Sequence, residues 1–436
     1  MKTQKKVKIS CNVSYSEENL VSFINNDLYI ELNDIKTKID LVNSKEWNFC
    51  RNLLNDYEYI CHKHPYINAN RNICIPYRLD KNSLRSMNYI RIPMYENVCS
   101  RSFFKLWEIF NYHENRMPMI KDTEIRCACL AEGPGGFIQS ILEYRCEKPT
   151  KIYGITLKEG TQQTTKWNNS ILNNENIILT NGDNERQHDG DLLNYDILEY
   201  FTNLVNKDGK VDLVTADGGY YINIEDENIK EQIHFPLFYN EAITALAIQK
   251  KGGCFVLKVY DMFTLPTCQL FTLLSMYYKD VYITKPLTSR PANSERYIVY
   301  LEFKGIGKKA LAKLLSTAKN MCMYGIRCKA LLNGDEYIQT KTGNFIKSIF
   351  DSNYVNENIK NLLFNHNSEY VPNQIDDIYQ IIDLINRMKY NDFNEIMNAN
   401  SQIFKEYEEI QNIKAIEWCK RNKMPLNPEY SIKRYI

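Results

Sequence analysis

The chain has 436 residues, 44% of them apolar and 25% charged, the balance of an ordinary globular protein with room for two or three domains. Lysine plus arginine (54) nearly cancel aspartate plus glutamate (53), leaving a net charge of +1; this excludes a uniformly basic nucleic-acid binder, so any RNA site must be a local patch. No apolar run approaches the roughly 18 residues of a membrane helix, and the 13 scattered cysteines contain no C-x-x-C pair, which favours free thiols in a reducing, intracellular compartment.

Residues 1–94 read as an N-terminal extension without a motif. The basic start Met1-Lys2-Thr3-Gln4-Lys5-Lys6 is not followed by an apolar segment, so no signal peptide is expected. Some helix is expected, as around Ser44–Cys61. Cys61, His62 and His64 are the one tight Cys/His cluster, but no second ligand pair follows, and Cys322 and Cys328 are too far apart for a zinc half-site; no metal is expected.

Residues 95–305 change character. Strands are expected at Ile125–Leu130, Lys151–Thr156, Ile177–Thr180, Val211–Ala216, Cys254–Val259, Val281–Thr284 and Arg296–Phe303. Helices are expected at about Phe137–Tyr144, Glu231–Lys250 and Pro266–Tyr278. Apolar strands separated by helices predict an α/β domain with a parallel sheet covered on both faces. The link before the last strand is too short for a crossover helix, so that pairing is expected to be antiparallel. Seven strands with a terminal antiparallel hairpin match the methyltransferase form of the Rossmann-like doubly wound fold. Residues 306–436 read as mostly helical, with helical spacing in the basic stretch from Gly307 to Leu315, in Ile375–Met388 and in Asn394–Arg421, the last ended by Pro425 and Pro428.

After the first expected strand of that domain comes Glu132-Gly133-Pro134-Gly135-Gly136-Phe137. Glycines there allow a sharp turn and close backbone approach to a ligand. The spacing is not G-x-G-x-x-G, and the next strand does not end on an acidic residue, which argues against a dinucleotide; no Gly-Lys-Ser/Thr follows for a P-loop. S-adenosylmethionine has no phosphate and needs less of an anion cradle. Glu132 and the glycines suit its methionine side, and Asp189 and Asp191 its adenosine side. A purely structural strand-to-helix turn is the competing reading.

Four residues then suggest chemistry: Lys105, Asp217, Lys258 and Glu295. A ribose 2′-hydroxyl must lose its proton as it takes a methyl group. A lysine can accept that proton only if its pKa falls from about 10.4, which burial and a neighbouring cation favour. Lys258, ending an apolar run, is the expected base near Lys105, with Asp217 and Glu295 orienting the two ammonium groups. Singly, Lys105 reads as a solvated lysine and Asp217 and Glu295 as turn residues. Together at strand C-termini, where open α/β sheets gather ligands, they read as a site.

Those segments, with Tyr153-Gly154-Ile155-Thr156-Leu157-Lys158, Ala216-Asp217-Gly218-Gly219, Gly252 through Lys258 and Lys285-Pro286 through Ser289-Arg290-Pro291-Ala292-Asn293-Ser294-Glu295-Arg296-Tyr297, resemble the FtsJ-like ribose 2′-O-methyltransferases, and within them the cap-specific mRNA enzymes. The resemblance covers about residues 95–305. It implies a Lys105-Asp217-Lys258-Glu295 tetrad, S-adenosyl-L-methionine as donor, and methylation of a cap-proximal nucleotide of capped mRNA, with other capping or transcription enzymes as further partners. The cofactor set it implies is Glu132, Gly133, Pro134, Gly135, Gly136, Phe137, Thr156, Asp189, Asp191 and Asp217. Arg290, with Ser289 and Asn293, and the basic helix Lys304–Lys313 are candidate RNA contacts because they lie near Glu295 in sequence; for the helix lysines, solvated surface charge is the plain alternative. The AT-rich coding bias suggested by the abundant Asn, Ile and the 31 tyrosines is compatible with a large cytoplasmic DNA virus; a cellular enzyme of this kind would act in the nucleus. The rival functions are methylation of internal ribose positions in ribosomal or transfer RNA, and a non-catalytic RNA-binding capping-complex subunit on the same fold.

Overall fold

The computed structural model describes residues 13–16, 18–61, 98–145, 148–158, 166–183, 185, 189–219, 224–332, 345–390 and 402–424. In chain order, β1 (Ser14–Ser16), α1 (Asn26–Ile39), α2 (Ser44–Leu53) and α3 (Glu58–Cys61) precede α4 (Ser102–Tyr112). Then come β2 (Ile125–Leu130), α5 (Gly136–Arg145), β3 (Thr150–Ile155), α6 (Asn169–Leu172), β4 (Ile177–Thr180), α7 (Tyr195–Lys207) and β5 (Val211–Ala216). They are followed by α8 (Lys230–Ile248), β6 (Gln249–Tyr260), α9 (Leu265–Tyr277), β7 (Tyr278–Thr284) and β8 (Glu295–Phe303), and then by α10 (Lys308–Leu332), β9 (Phe345–Ser348), α11 (Glu357–Tyr390) and α12 (Gln402–Arg421).

Strands β2 to β8 form one sheet in the order β4-β3-β2-β5-β6-β8-β7. The first five are parallel, and β8 runs antiparallel to both β6 and β7. All seven expected strands are present, with the terminal hairpin in place. They are apolar along nearly their whole length because both faces are covered. On β2, Cys127 and Cys129 pack with Phe103, Trp107 and Ile141, while Ala128 and Leu130 pack with Ile197, Phe201 and Phe238 on the other face. Both cysteines are buried free thiols.

The segments on either side of this sheet pack on each other. β1 pairs antiparallel with β9, Tyr15 opposite Ile346. α1 and α2 pack on α11, and α3 packs on α12. α12 also latches α4: Trp418 Nε1 donates to Glu108 Oε2 (3.0 Å), Trp107 Nε1 donates to the Asn422 carbonyl (2.9 Å), and the Trp418 ring meets Phe104 edge-on. Among the described residues, no helix is long and apolar enough to cross a membrane.

Three helical expectations shift. The helix expected over Ser44–Cys61 is two helices, because Asn55 breaks it: its Oδ1 accepts from Tyr57 N (3.3 Å) and its Nδ2 donates to Glu58 Oε2 (2.7 Å), a turn that restarts the chain. Ile375–Met388 is only part of the 34-residue α11. Of Asn394–Arg421, residues 402–421 form α12, while 394–401, Pro425 and Pro428 lie outside the described residues. So do His62, His64 and the side chains of Cys322 and Cys328.

The basic stretch Lys304–Lys313 is a correction. Its nearness in sequence to Glu295 does not survive folding. β8 carries the chain nine residues across the sheet, about 30 Å at strand rise. Phe303 pairs with Tyr278, and Lys304 N donates to the Tyr277 carbonyl (2.7 Å), at the opposite edge.

Candidate active site

The four candidate residues meet at the carboxyl edge of the parallel strands. Asp217 directly follows β5, and its N–H donates to the Leu130 carbonyl of β2 (3.2 Å). Lys258 near the end of β6 lies opposite Tyr297, and Glu295 at the start of β8 lies opposite Tyr260. Lys105 projects from the first turn of α4.

They form two ion pairs. Lys105 Nζ lies 2.7 Å from Glu295 Oε1 and 3.0 Å from Oε2. Lys258 Nζ lies 3.2 Å from Asp217 Oδ1 and donates to the Asp217 carbonyl at 2.6 Å. The side chains keep only 13%, 6%, 9% and 14% exposure for Lys105, Glu295, Lys258 and Asp217, enough for a ligand to reach and too little for water to screen the charges.

Each carboxylate is also held from behind. Tyr297 donates its hydroxyl to Asp217 Oδ1 (2.8 Å), and Ser289 Oγ donates to Glu295 Oε1 (2.8 Å). Asn293 Oδ1 accepts from Glu295 N (3.1 Å). Lys285 Nζ then ties that loop together, donating to Ser289 Oγ (3.1 Å) and to the carbonyls of Asn293 (2.6 Å) and Glu295 (3.0 Å). The sequence reading gave Tyr297 and Lys285 no role. Their signal was the partner spacing along the loop, which carries meaning only once β7 and β8 are known to pair.

The electrostatics differ from expectation at Lys258. Burial, the largest single influence, favours its neutral amine, but the charge and hydrogen bond of Asp217 together with Tyr260 and Glu295 outweigh it, and the pKa is raised above the ordinary lysine value. The resting site holds Lys258 as an ammonium. Glu295 goes the other way: burial would raise its pKa, yet Lys105, Lys258 and Lys285 hold it below the ordinary carboxylate value. Burial, joined by Arg296, pushes Lys285 well below the lysine value.

The glycine turn lies beside these pairs. Glu132 Oε1 accepts from Phe137 N (2.5 Å) and so caps α5, while its Oε2 is buried with no hydrogen-bond partner among the described residues. Burial, with Asp217 adding, raises the Glu132 pKa well above the ordinary value. Gly133 N donates to Thr156 Oγ1 (3.1 Å), and the Gly133–Pro134 bond is cis. A Cβ on Gly136 would meet the hydroxyls of Ser100 and Ser102 at 2.1 Å, so glycine lets the start of α5 touch the start of the Lys105 helix. Phe137 is fully buried in the core.

Asp189 and Asp191 form a turn against Thr156. Asp189 Oδ1 accepts from Asp191 N (3.0 Å) and Asp191 Oδ1 from Leu193 N (3.0 Å). Gly190, at φ +79°, puts its Cα where a Cβ would lie 1.9 Å from the Thr156 carbonyl. Asn181, which the sequence reading passed over, donates its side-chain amide to that same carbonyl (2.6 Å).

Of the candidate RNA contacts, Ser289 and Asn293 are engaged with Glu295 as above. Arg290 pairs with the buried Glu58 of α3 at 3.1 Å. Among the described residues no group of His, Cys, Asp and Glu side chains is gathered as for a metal ion.

Residues 98–303 match the FtsJ-like methyltransferase family. The chain carries an FtsJ-like methyltransferase domain. Its β2-to-β8 sheet and the paired lysines and carboxylates all fall within that stretch. The cap-specific mRNA (nucleoside-2'-O-)-methyltransferase 1 of Leishmania braziliensis is 32% identical over 185 residues, 42% of this chain and 45% of that protein. The protein of the same name from Mus musculus is 35% identical over 188 residues, 42% of this chain and 22% of that protein. The likeness thus centres on the FtsJ-like domain, and the chain matches less than half the length of either relative. Among solved structures, a putative ribosomal RNA methyltransferase from Plasmodium falciparum covers 48% of this chain and 99% of its own at 20% identity and a TM-score of 0.34, too distant to bear on function.

Proposed function

We propose that this chain transfers a methyl group from S-adenosyl-L-methionine to the ribose 2′-hydroxyl of a cap-proximal nucleotide of capped mRNA. The observation that carries the reading is the pair of ion pairs, Lys105–Glu295 and Lys258–Asp217, set at the carboxyl edge of the sheet beside the Glu132–Gly136 turn. The names of the relatives support the choice of capped mRNA over internal ribose positions.

The residues fit the donor. The unpartnered Glu132 Oε2 offers an acceptor for an amino group, and Gly136 and Gly190 let the start of α5 and the 189–191 turn pack close against Ser100, Ser102 and Thr156, which fixes the two turns beside it. Glu132 and Gly133–Gly136 would hold the methionine end, with Asp189, Asp191 and Thr156 toward the adenosine end. When bound, S-adenosylmethionine supplies an electrophilic methyl group on a cationic sulfur.

The chain's own residues do the rest. Lys258 Nζ is the proton acceptor for the ribose hydroxyl, and it must first give up a proton of its own. Asp217 and Glu295, which hold it charged, therefore set the pH at which it becomes competent. Lys105, held by Glu295, is a second cation beside the reacting oxygen. Fixing the hydroxyl between these groups converts an encounter into a local event, which supplies much of the rate.

The experiment is methyl transfer from labelled donor to short RNAs that differ only in bearing the 7-methylguanosine cap. Transfer confined to capped RNA supports the reading. Equal transfer to uncapped RNA favours the internal-position enzyme, and RNA binding without donor binding favours the non-catalytic subunit.

A further inference from the structure

We propose that Glu58, from the segment that precedes the FtsJ-like domain, is a positioning residue for the Lys105–Glu295 pair. This rests on that pair belonging to the methyl-transfer site. The pair spans two elements, the first turn of α4 and the loop 285–294 that leads into β8. Glu58 joins the same two elements. Its Oε1 lies 2.6 Å from Arg101 Nη1 and 3.1 Å from Arg290 Nη2.

The placement of the two arginines gives the link its meaning. Arg101 stands four residues before Lys105, one helical turn away along α4. Arg290 stands in the loop that delivers Ser289 and Glu295. Arg101 Nη2 also donates to the Thr288 carbonyl of that loop (3.0 Å). On the other side, Asn55 Nδ2 donates to Glu58 Oε2 (2.7 Å), so the turn between α2 and α3 fixes the carboxylate.

Glu58 is 4% exposed. Burial would raise its pKa, yet Arg101 and Arg290 hold it near 2, so it is a carboxylate at any working pH. Burial and Arg290 bring nearby Arg51 down to about 10, a sign that cations crowd one anion here. Removing the Glu58 charge would leave Arg101 and Arg290 repelling one another across the junction that sets the Lys105–Glu295 distance. A residue that only stabilised the fold would not act at that gap.

The test is Glu58→Gln in the full chain, which keeps the shape and removes the charge. Single-turnover methyl transfer should fall about tenfold or more, since small misplacements of reacting groups are costly, while affinity for the donor product by calorimetry stays unchanged. Amide exchange at residues 102–106 and 289–294 should quicken together, with β2 and β3 unaffected, and Glu58→Asp should recover part of the rate. An unchanged rate and unchanged exchange would overturn the proposal. So would a faster rate, which would make Glu58 a plug over an anion site, and so would parallel losses of melting temperature, donor affinity and rate. If Glu58→Gln does not fold, Arg290→Gln breaks the link from the other side and must give the same pattern. If the wild-type chain transfers no methyl group to RNA, the functional reading fails, and the paired exchange response still decides whether Glu58 joins α4 to the loop.

Discussion

Asp217 faces Lys258 with two oxygens: its main-chain carbonyl accepts from Nζ at 2.6 Å, and its Oδ1 stands 3.2 Å from the same nitrogen. One residue thus both orients the amine and opposes its deprotonation. Tyr297 holds the carboxylate in that position through its hydroxyl, so the geometry is set before any ligand arrives.

Replacing Lys258 by Met keeps the volume and removes the proton acceptor. Methyl transfer to capped RNA should fall by roughly 10²- to 10⁴-fold, the usual worth of general-base catalysis. Affinity for S-adenosylhomocysteine, by calorimetry, should hold. Loss of donor affinity with little change in rate would place Lys258 in the donor site instead.

The pH dependence follows from the raised Lys258 pKa. The stability that its pairing with Asp217 contributes is whole below the ordinary lysine value of about 10.4 and is lost as pH rises through the higher folded value. Activity moves oppositely, because only the neutral amine accepts a proton. For the free enzyme, kcat/KM should therefore keep rising with pH toward that range. Asp217→Asn removes the main opposing anion, so its profile should level off at lower pH even though its maximum is reduced. A wild-type plateau near neutrality would contradict the assignment.

Much of this was legible in the sequence for a physical reason. Strands buried on both faces must be apolar, so β2 to β8 announce themselves, and a lysine ending such a run, as Lys258 does, stands out. The charge state of Lys258 was not legible. It depends on Asp217, forty-one residues away, supplying two oxygens rather than one, which is a matter of backbone placement. Nor was the position of Lys304–Lys313, since an antiparallel strand moves its two ends to opposite edges of the sheet. Glu58 carried no signal at all: its meaning comes from two arginines far along the chain.

The turn at Gly190 offers a test of the donor site. Gly190→Ala would combine strain at φ +79° with a contact to the Thr156 carbonyl, a main-chain atom that cannot move aside. Donor affinity should weaken by about tenfold, with a loss of stability of about 1–3 kcal/mol. Gly252→Ala is the control. It has φ +82° but open space around it, so it should cost stability and leave donor affinity untouched, by calorimetry and thermal melts.

The latch of α12 on α4 predicts a stability effect at Trp418. Trp418→Phe keeps most of the packing on Phe104 and removes the indole donor to Glu108 Oε2. Removing the shortest donor to this half-buried carboxylate oxygen, which keeps only the 3.4 Å contacts from Thr288, should cost about 1 kcal/mol, measured by urea unfolding. Unchanged stability would mean that other donors satisfy Glu108 fully.

The most direct test of the central claim is mass spectrometry of nuclease fragments from a short capped transcript after reaction with the chain and S-adenosylmethionine. One added methyl group is expected on the ribose of a nucleotide next to the cap, absent with Lys258→Met. A methyl group on a base, or on internal riboses irrespective of the cap, would contradict that claim.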